Sequence, residues 1–227
     1  MEENIIQIKK TIKEDFKLSG WDKILNPFID SKAFDFITDA LVNSIEQNRR
    51  FTPKFKEAFN PFIKTNFKEI KVIIVNQDPY PQFGIADGLA FSCSKTEQVQ
   101  PSLRYIFKEL YGHDKADVNL IRWANQGVLL INTSLTCEIN KMGSHAYIWK
   151  TFIEYVFEMI NNIDKNIIFV LMGKKTEYWQ IRLPGQKILK CSHPASAVYN
   201  KDVWKSNKIF EKINKELEKQ IKPLINW

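Results

Sequence analysis

The side chains with the most chemistry to offer stand in four places, each just past a short, β-branched apolar run. Lys71-Val-Ile-Ile-Val75 leads into Asn76-Gln77-Asp78-Pro79-Tyr80, and Val128-Leu-Leu-Ile131 leads into Asn132. Asn166-Ile-Ile-Phe-Val-Leu171 leads into Gly173-Lys174, and Lys187-Ile-Leu-Lys190 leads into His193-Pro194. A carboxylate can steady a cation or hold a water. A carboxamide offers donor and acceptor together, and an imidazole can give or take a hydrogen bond. Pro79 fixes φ next to Asp78 and removes an N–H, so the carboxylate sits on a stiff loop. Taken singly these signals are weak. Asp-Pro is a common turn dipeptide, a lone His is more often structural than catalytic, and Asn132 could cap a neighbouring turn as well as read a ligand.

Their common position argues for more. Helically patterned segments, near 102–112, 149–162, 174–181 and 204–221, separate or follow the apolar runs, which is how a parallel sheet with crossover helices reads. Groups at the carboxyl ends of such strands converge on one crevice. Residues 1–70 repeat Ile5, Ile8, Ile12, Phe16 and Phe34, Ile37, Leu41, Ile45 at helical spacing, with Pro27, Pro53 and Pro61 as breaks. They are expected to be helices covering one sheet face. With no repeat and no low-complexity linker, one domain spanning 1–227 is the simplest organisation.

Charge and composition narrow the partners. Lys and Arg number 33 against 26 Asp and Glu, a net +7, which favours a polyanion such as nucleic acid. Cys93, Cys137 and Cys191 are an odd set without paired spacing, pointing to a reducing, intracellular setting. His113, His145 and His193 form no metal-ligand cluster with them. No apolar run is long enough to span a membrane, and Met1-Glu2-Glu3 opens neither a signal nor a transit peptide. A cytoplasmic protein is expected, or a nuclear one if the source is eukaryotic or viral. Lys201, Lys205, Lys208, Lys212, Lys215, Lys219 and Lys222 recur at steps of four and three on the last predicted helix. That stripe is either a solvated face or a track for phosphates.

The motifs in order resemble the family-1 uracil-DNA glycosylases over nearly the whole chain. They are Gln77-Asp78-Pro79-Tyr80, Ala86-Asp87-Gly88-Leu89-Ala90-Phe91-Ser92, Pro101-Ser102-Leu103, the stretch from Trp123 through Asn132 to Thr136, Ser144-His145-Ala146, His193-Pro194 and Ile225-Asn226-Trp227. The resemblance implies a three-layer αβα fold with a central four-stranded parallel sheet. It also implies a monomeric, monofunctional base-excision-repair enzyme that flips uracil out of single- or double-stranded DNA, using no metal or cofactor. It casts Asp78 as the anion that stabilises the cationic sugar and positions water, and His193 as the neutral donor to the base O2. Asn132 would pair with the uracil edge, Tyr80 exclude the thymine methyl, Phe91 stack on the base, and Gln77 add a backbone contact. Pro101, Ser102, Gly173, Lys174, Ala195, Ser196, Ala197 and Val198 would pinch the DNA backbone.

Several positions depart from the family pattern. Asn76 stands where Gly is usual; Asn tolerates left-handed φ, so the turn is expected to survive. Pro81 stands where many members have His, and Lys174 replaces a Ser. After His193-Pro194 the family usually carries Ser-Pro-Leu, the Leu filling the vacated base stack. Here Ala195, Ser196 and Ala197 align, followed by Val198 and Tyr199. Ala197 is too small for that task, so Val198 or Tyr199 substitutes or flipping relies on the backbone pinch, and duplex activity should be the weaker. Two other readings stay open at this point: a noncatalytic DNA-binding or replication-accessory module on the same scaffold, and a glycosylase retuned to another modified base.

Overall fold

Four short strands, three of them carrying unbroken apolar runs, build the centre of the molecule. A computed structural model describes residues 2–96, 98–200 and 203–227, with side chains placed from Ile6 onward. The chain begins with α1 (Glu2–Ser19), α2 (Asp22–Ile29) and α3 (Lys32–Glu46), then β1 (Phe51–Thr52) and α4 (Asn60–Lys64). It continues through β2 (Val72–Asn76), α5 (Pro101–Tyr111), α6 (Ile121–Ala124), β3 (Val128–Asn132) and β4 (Cys137–Glu138). The remaining elements are α7 (Ala146–Ile163), β5 (Ile168–Met172), β6 (Lys187–Cys191) and α8 (Ile209–Lys219). The sheet order is β3-β2-β5-β6, and every pair is parallel. The chain leaves β2 for β3 on one side, then crosses to β5 on the other. That reversal is where a crevice opens at the carboxyl ends of the strands.

Strand periodicity splits the core in two. Ile73, Val75, Leu129, Ile131, Phe169 and Leu171 face a cluster with Phe16, Trp21, Phe28, Phe34, Phe59 and Trp149 from α1–α3, α7 and the segments just before α2 and α4. Val72, Ile74, Val128, Leu130, Ile168 and Val170 face the opposite way, onto residues of α5, α6 and α8. Alternate side chains point to opposite faces, so a strand apolar on both needs a layer on each side. The expected three-layer α/β architecture is found. β6 closes one edge with Lys187 and Lys190 exposed, a charged rim that discourages further strand pairing.

The helical reading of residues 1–70 holds for its buried faces: Ile12, Phe16, Phe34, Ile37 and Leu41 are in the core, while Ile45 is exposed. The side chain of Ile5 lies outside the described residues. A short antiparallel pairing of β1 with β4 went unforeseen, because two-residue strands leave no periodicity. The last helix is shorter than expected. It starts at Ile209, after Asn207 and Lys208 at φ +59° and +56°. Before it, Trp204 Nε1 donates to the Ser192 carbonyl at 2.8 Å, and Ser192 Oγ donates to the Lys205 carbonyl at 3.0 Å. Trp204 and Lys205 are thus lashed to the end of β6. Of the lysine stripe, Lys212, Lys215 and Lys219 share α8 and are exposed, Lys205 and Lys208 precede it, Lys222 follows it, and Lys201 lies outside the described residues.

All three cysteines are buried and unpaired. Burial pushes their thiols up, those of Cys137 and Cys191 to about 12. Among the described residues no helix is long and apolar enough to cross a membrane.

Candidate active site

Asp78 follows the end of β2 and is 8% exposed. Its Oδ1 accepts the Gly143 backbone N–H at 3.1 Å. Burial holds its carboxyl above the ordinary range, opposed by that N–H and by the positive charge of Lys175. The loop supplying Gly143 is itself anchored. Ser144 Oγ accepts the Glu138 N–H at 2.8 Å, and Thr136 Oγ1 takes the Trp149 indole N–H at 2.8 Å while meeting His145 Nδ1 at 2.9 Å. Burial drives His145 down to about 4, so it serves as neutral scaffolding.

His193 follows β6. Its Nδ1 accepts the Ala195 N–H at 3.1 Å, which leaves the proton of the neutral ring on Nε2. Burial lowers its affinity for a second proton. Close approach of the β5 turn requires Gly173: a Cβ there would lie 3.0 Å from His193 Cβ, and its φ is +98°.

From that tautomer the polarity of the whole site follows. His193 Nε2 meets Asn76 Oδ1 at 3.1 Å as donor to acceptor. Asn76 Nδ2 then donates to the Asp78 carbonyl at 2.8 Å and to Asn132 Oδ1 at 2.9 Å. A backbone carbonyl can only accept, so neither amide can be flipped without loss. Asn132, 1% exposed, is left with its Nδ2 buried and without a partner among the described residues. Asn76 differs from expectation: it closes β2 opposite Asn132, is absent from the residues with positive φ, and works through its side chain rather than a special backbone.

Tyr80 and Phe91 are tied together. Tyr80 OH donates to the Phe91 carbonyl at 2.9 Å, and burial keeps its phenol far from ionising. The Phe91 ring lies 5.9 Å from the His193 ring. Phe91 holds φ +67°, a conformation costing about 1–2 kcal/mol for a residue with a Cβ. The loop is over-determined by Asp87, whose carboxylate accepts from Leu89 N, Ser92 Oγ, Ser94 N and Ser94 Oγ. Strain fixed in this way marks positions where orientation matters more than comfort.

Asp78 and His193 open onto one cleft of about 500 Å³, with Asn76, Gln77, Ser102 and Met142 beside them. Ala195, Ser196, Val198 and Tyr199 form its rim. Asn132, Tyr80 and Phe91 are not among the cleft-lining residues; Asn132 is reached through Asn76. Lys174 is exposed and Pro101 sits at the start of α5. Ala197 is fully buried, so it cannot offer the surface expected of it, whereas Val198 and Tyr199 are 59% and 90% exposed. Sequence reasoning missed Lys175 and Met142, neither of which falls in a recognisable motif. It treated Asn76 as a backbone exception, although a second amide opposite Asn132 was a signal.

A family model described as the uracil DNA glycosylase superfamily matches residues 62–218. The chain belongs to that superfamily. A uracil-DNA glycosylase of Campylobacter jejuni is 36% identical, covering 100% of this chain and 99% of its own. One from Christiangramia forsetii is 33% identical, covering 92% and 97%. The crystal structure of a mimivirus uracil-DNA glycosylase superposes with a TM-score of 0.81 at 25% identity, over 93% of this chain and 88% of that one. The superfamily match spans all four sheet strands and every residue of the cleft just described.

Proposed function

We propose that the chain excises uracil from DNA by hydrolysing its N-glycosidic bond, leaving an abasic site. The observation that carries this reading is the pairing of Asp78 and His193 across one cleft, with the imidazole already in its Nε2–H form. As the C1′–N1 bond breaks, positive charge grows on the sugar and negative charge on the departing base. Asp78 as an anion steadies the sugar and takes a proton from the water that attacks C1′. His193 Nε2–H and the Asn132 Nδ2–H stabilise charge on the base oxygens, as preorganised donors in a dry site do. Asn132 reads the uracil edge, because the cytosine amino group would meet its unpartnered Nδ2 donor to donor. Tyr80 and Phe91 flank the base, Tyr80 against C5, and Gln77 contributes backbone.

DNA is held through phosphates and sugars by Pro101, Ser102, Gly173, Lys174, Ala195 and Ser196, contacts that position without reading sequence. Exposed Tyr199, with Val198, fills the gap left by the flipped nucleotide in a duplex. We take the enzyme to act as a monomer on both single and double strands. Its three free, buried thiols fit a reducing intracellular compartment. A noncatalytic role is disfavoured by Asp78 itself: a buried carboxylate held above its ordinary pKa costs stability that a binding module has no reason to bear. The test is uracil release from single- and double-stranded oligonucleotides alongside an Asp78→Asn variant. Equal release by the variant would end the reading.

A further inference from the structure

The carboxamide of Asn76 shows its neighbours the same edge that uracil would. Its Oδ1 accepts from His193 Nε2 at 3.1 Å while its Nδ2 donates to Asn132 Oδ1 at 2.9 Å. Uracil carries the same O=C–N–H unit in O2, C2 and N3, with the acceptor meant for His193 and the donor for Asn132. We propose that Asn76 is an internal stand-in for the base, occupying the gap between His193 and Asn132 until an incoming uracil turns it aside. The proposal rests on the reading of those two residues as the base's partners.

Three further features favour it. Asn76 lines the cleft and is 6% exposed, whereas Asn132 behind it is 1% exposed and outside the lining. An entering base therefore meets Asn76 before it can reach Asn132. The stand-in is also incomplete. Asn132 Nδ2 stays buried without a partner among the described residues, and uracil, through O4, would satisfy the donor that the Asn76 carboxamide does not. The true base therefore makes one contact more than its substitute, which gives the exchange a direction. Finally, Asn76 Oδ1 leaves the Nε2–H of His193 satisfied in a desolvated place while the site is empty. Displacing the carboxamide reduces the apparent affinity for every base by the fraction of time the site is open, so free uracil should be a weak product inhibitor.

The test compares wild type with Asn76→Gly and Asn76→Ala, measuring kcat, KM and the inhibition constant of free uracil, with melting temperatures to confirm folding. Removing the stand-in should lower both KM and the uracil inhibition constant by about tenfold, with kcat changing little. A brace that merely orients Asn132 predicts the opposite sign. Unchanged or raised constants in a folded variant therefore overturn the proposal. Should neither variant fold, NMR of the wild-type Asn76 side-chain amide decides it: saturating uracil must move those resonances, and unmoved resonances overturn it equally. Wild type that releases no uracil sinks the parent reading as well; active wild type with unshifted constants sinks the stand-in alone.

Discussion

Asp78 concentrates the conflict between stability and function in one side chain. Its folded pKa lies above the unfolded value because burial disfavours the charge, so the ionised form weakens the fold at every pH above the unfolded pKa. Asp78→Asn should lower excision by about a hundredfold or more while raising the melting temperature by about 2 °C, a combination read by pairing an oligonucleotide assay with calorimetry. The pH profile follows from the same shifts. Asp78 must be ionised and His193 neutral; the first condition is met above a raised carboxyl pKa and the second above a lowered imidazole pKa. The kcat/KM should rise through the acid range and be flat by neutrality; an acid limb centred at the ordinary Asp value would refute the burial argument. Asn132→Asp should open the site to cytosine, detectable as cytosine release from an oligonucleotide without uracil, because a carboxyl group in its protonated form offers a donor to cytosine N3.

At the scale of elements, the site depends on turns that let strand ends come close. Gly173→Ala places a methyl 3.0 Å from His193 Cβ at a φ of +98°. It should cost about 1–2 kcal/mol of stability and ten- to a hundredfold in rate, with Asp78-dependent chemistry otherwise intact. The four sheet strands and helices α5 and α7 were legible in sequence because long apolar periodicities survive any tertiary context. What could not be read depended on single hydrogen bonds formed between distant segments. The late start of α8 follows from Trp204 bonding Ser192, and the role of Asn76 follows from meeting Asn132 across two strands 56 residues apart in sequence. Asp78, His193 and Gln77 line the cleft; Ala197 does not, because the turn after Pro194 buries it completely.

For the whole molecule, a net +7 means that affinity for DNA should rise as ions are removed. With KM measured on a uracil oligonucleotide between low and physiological salt, the expected result is a KM that climbs with ionic strength and a kcat that hardly moves. Tyr199→Ala should depress activity on duplex several-fold more than on single strands, because only a duplex has a stack to refill; equal losses on both would show that the tyrosine merely grips the backbone.

Deep inside, the three sulfur atoms stay protonated at neutral pH, two of them up to about 12, and thiols in that form do not attack alkylating reagents. The native protein should therefore react slowly with maleimides. A Lys174→Cys variant would take a fluorophore selectively at that exposed turn, and a change in its emission on adding a uracil-containing strand would test whether DNA reaches it.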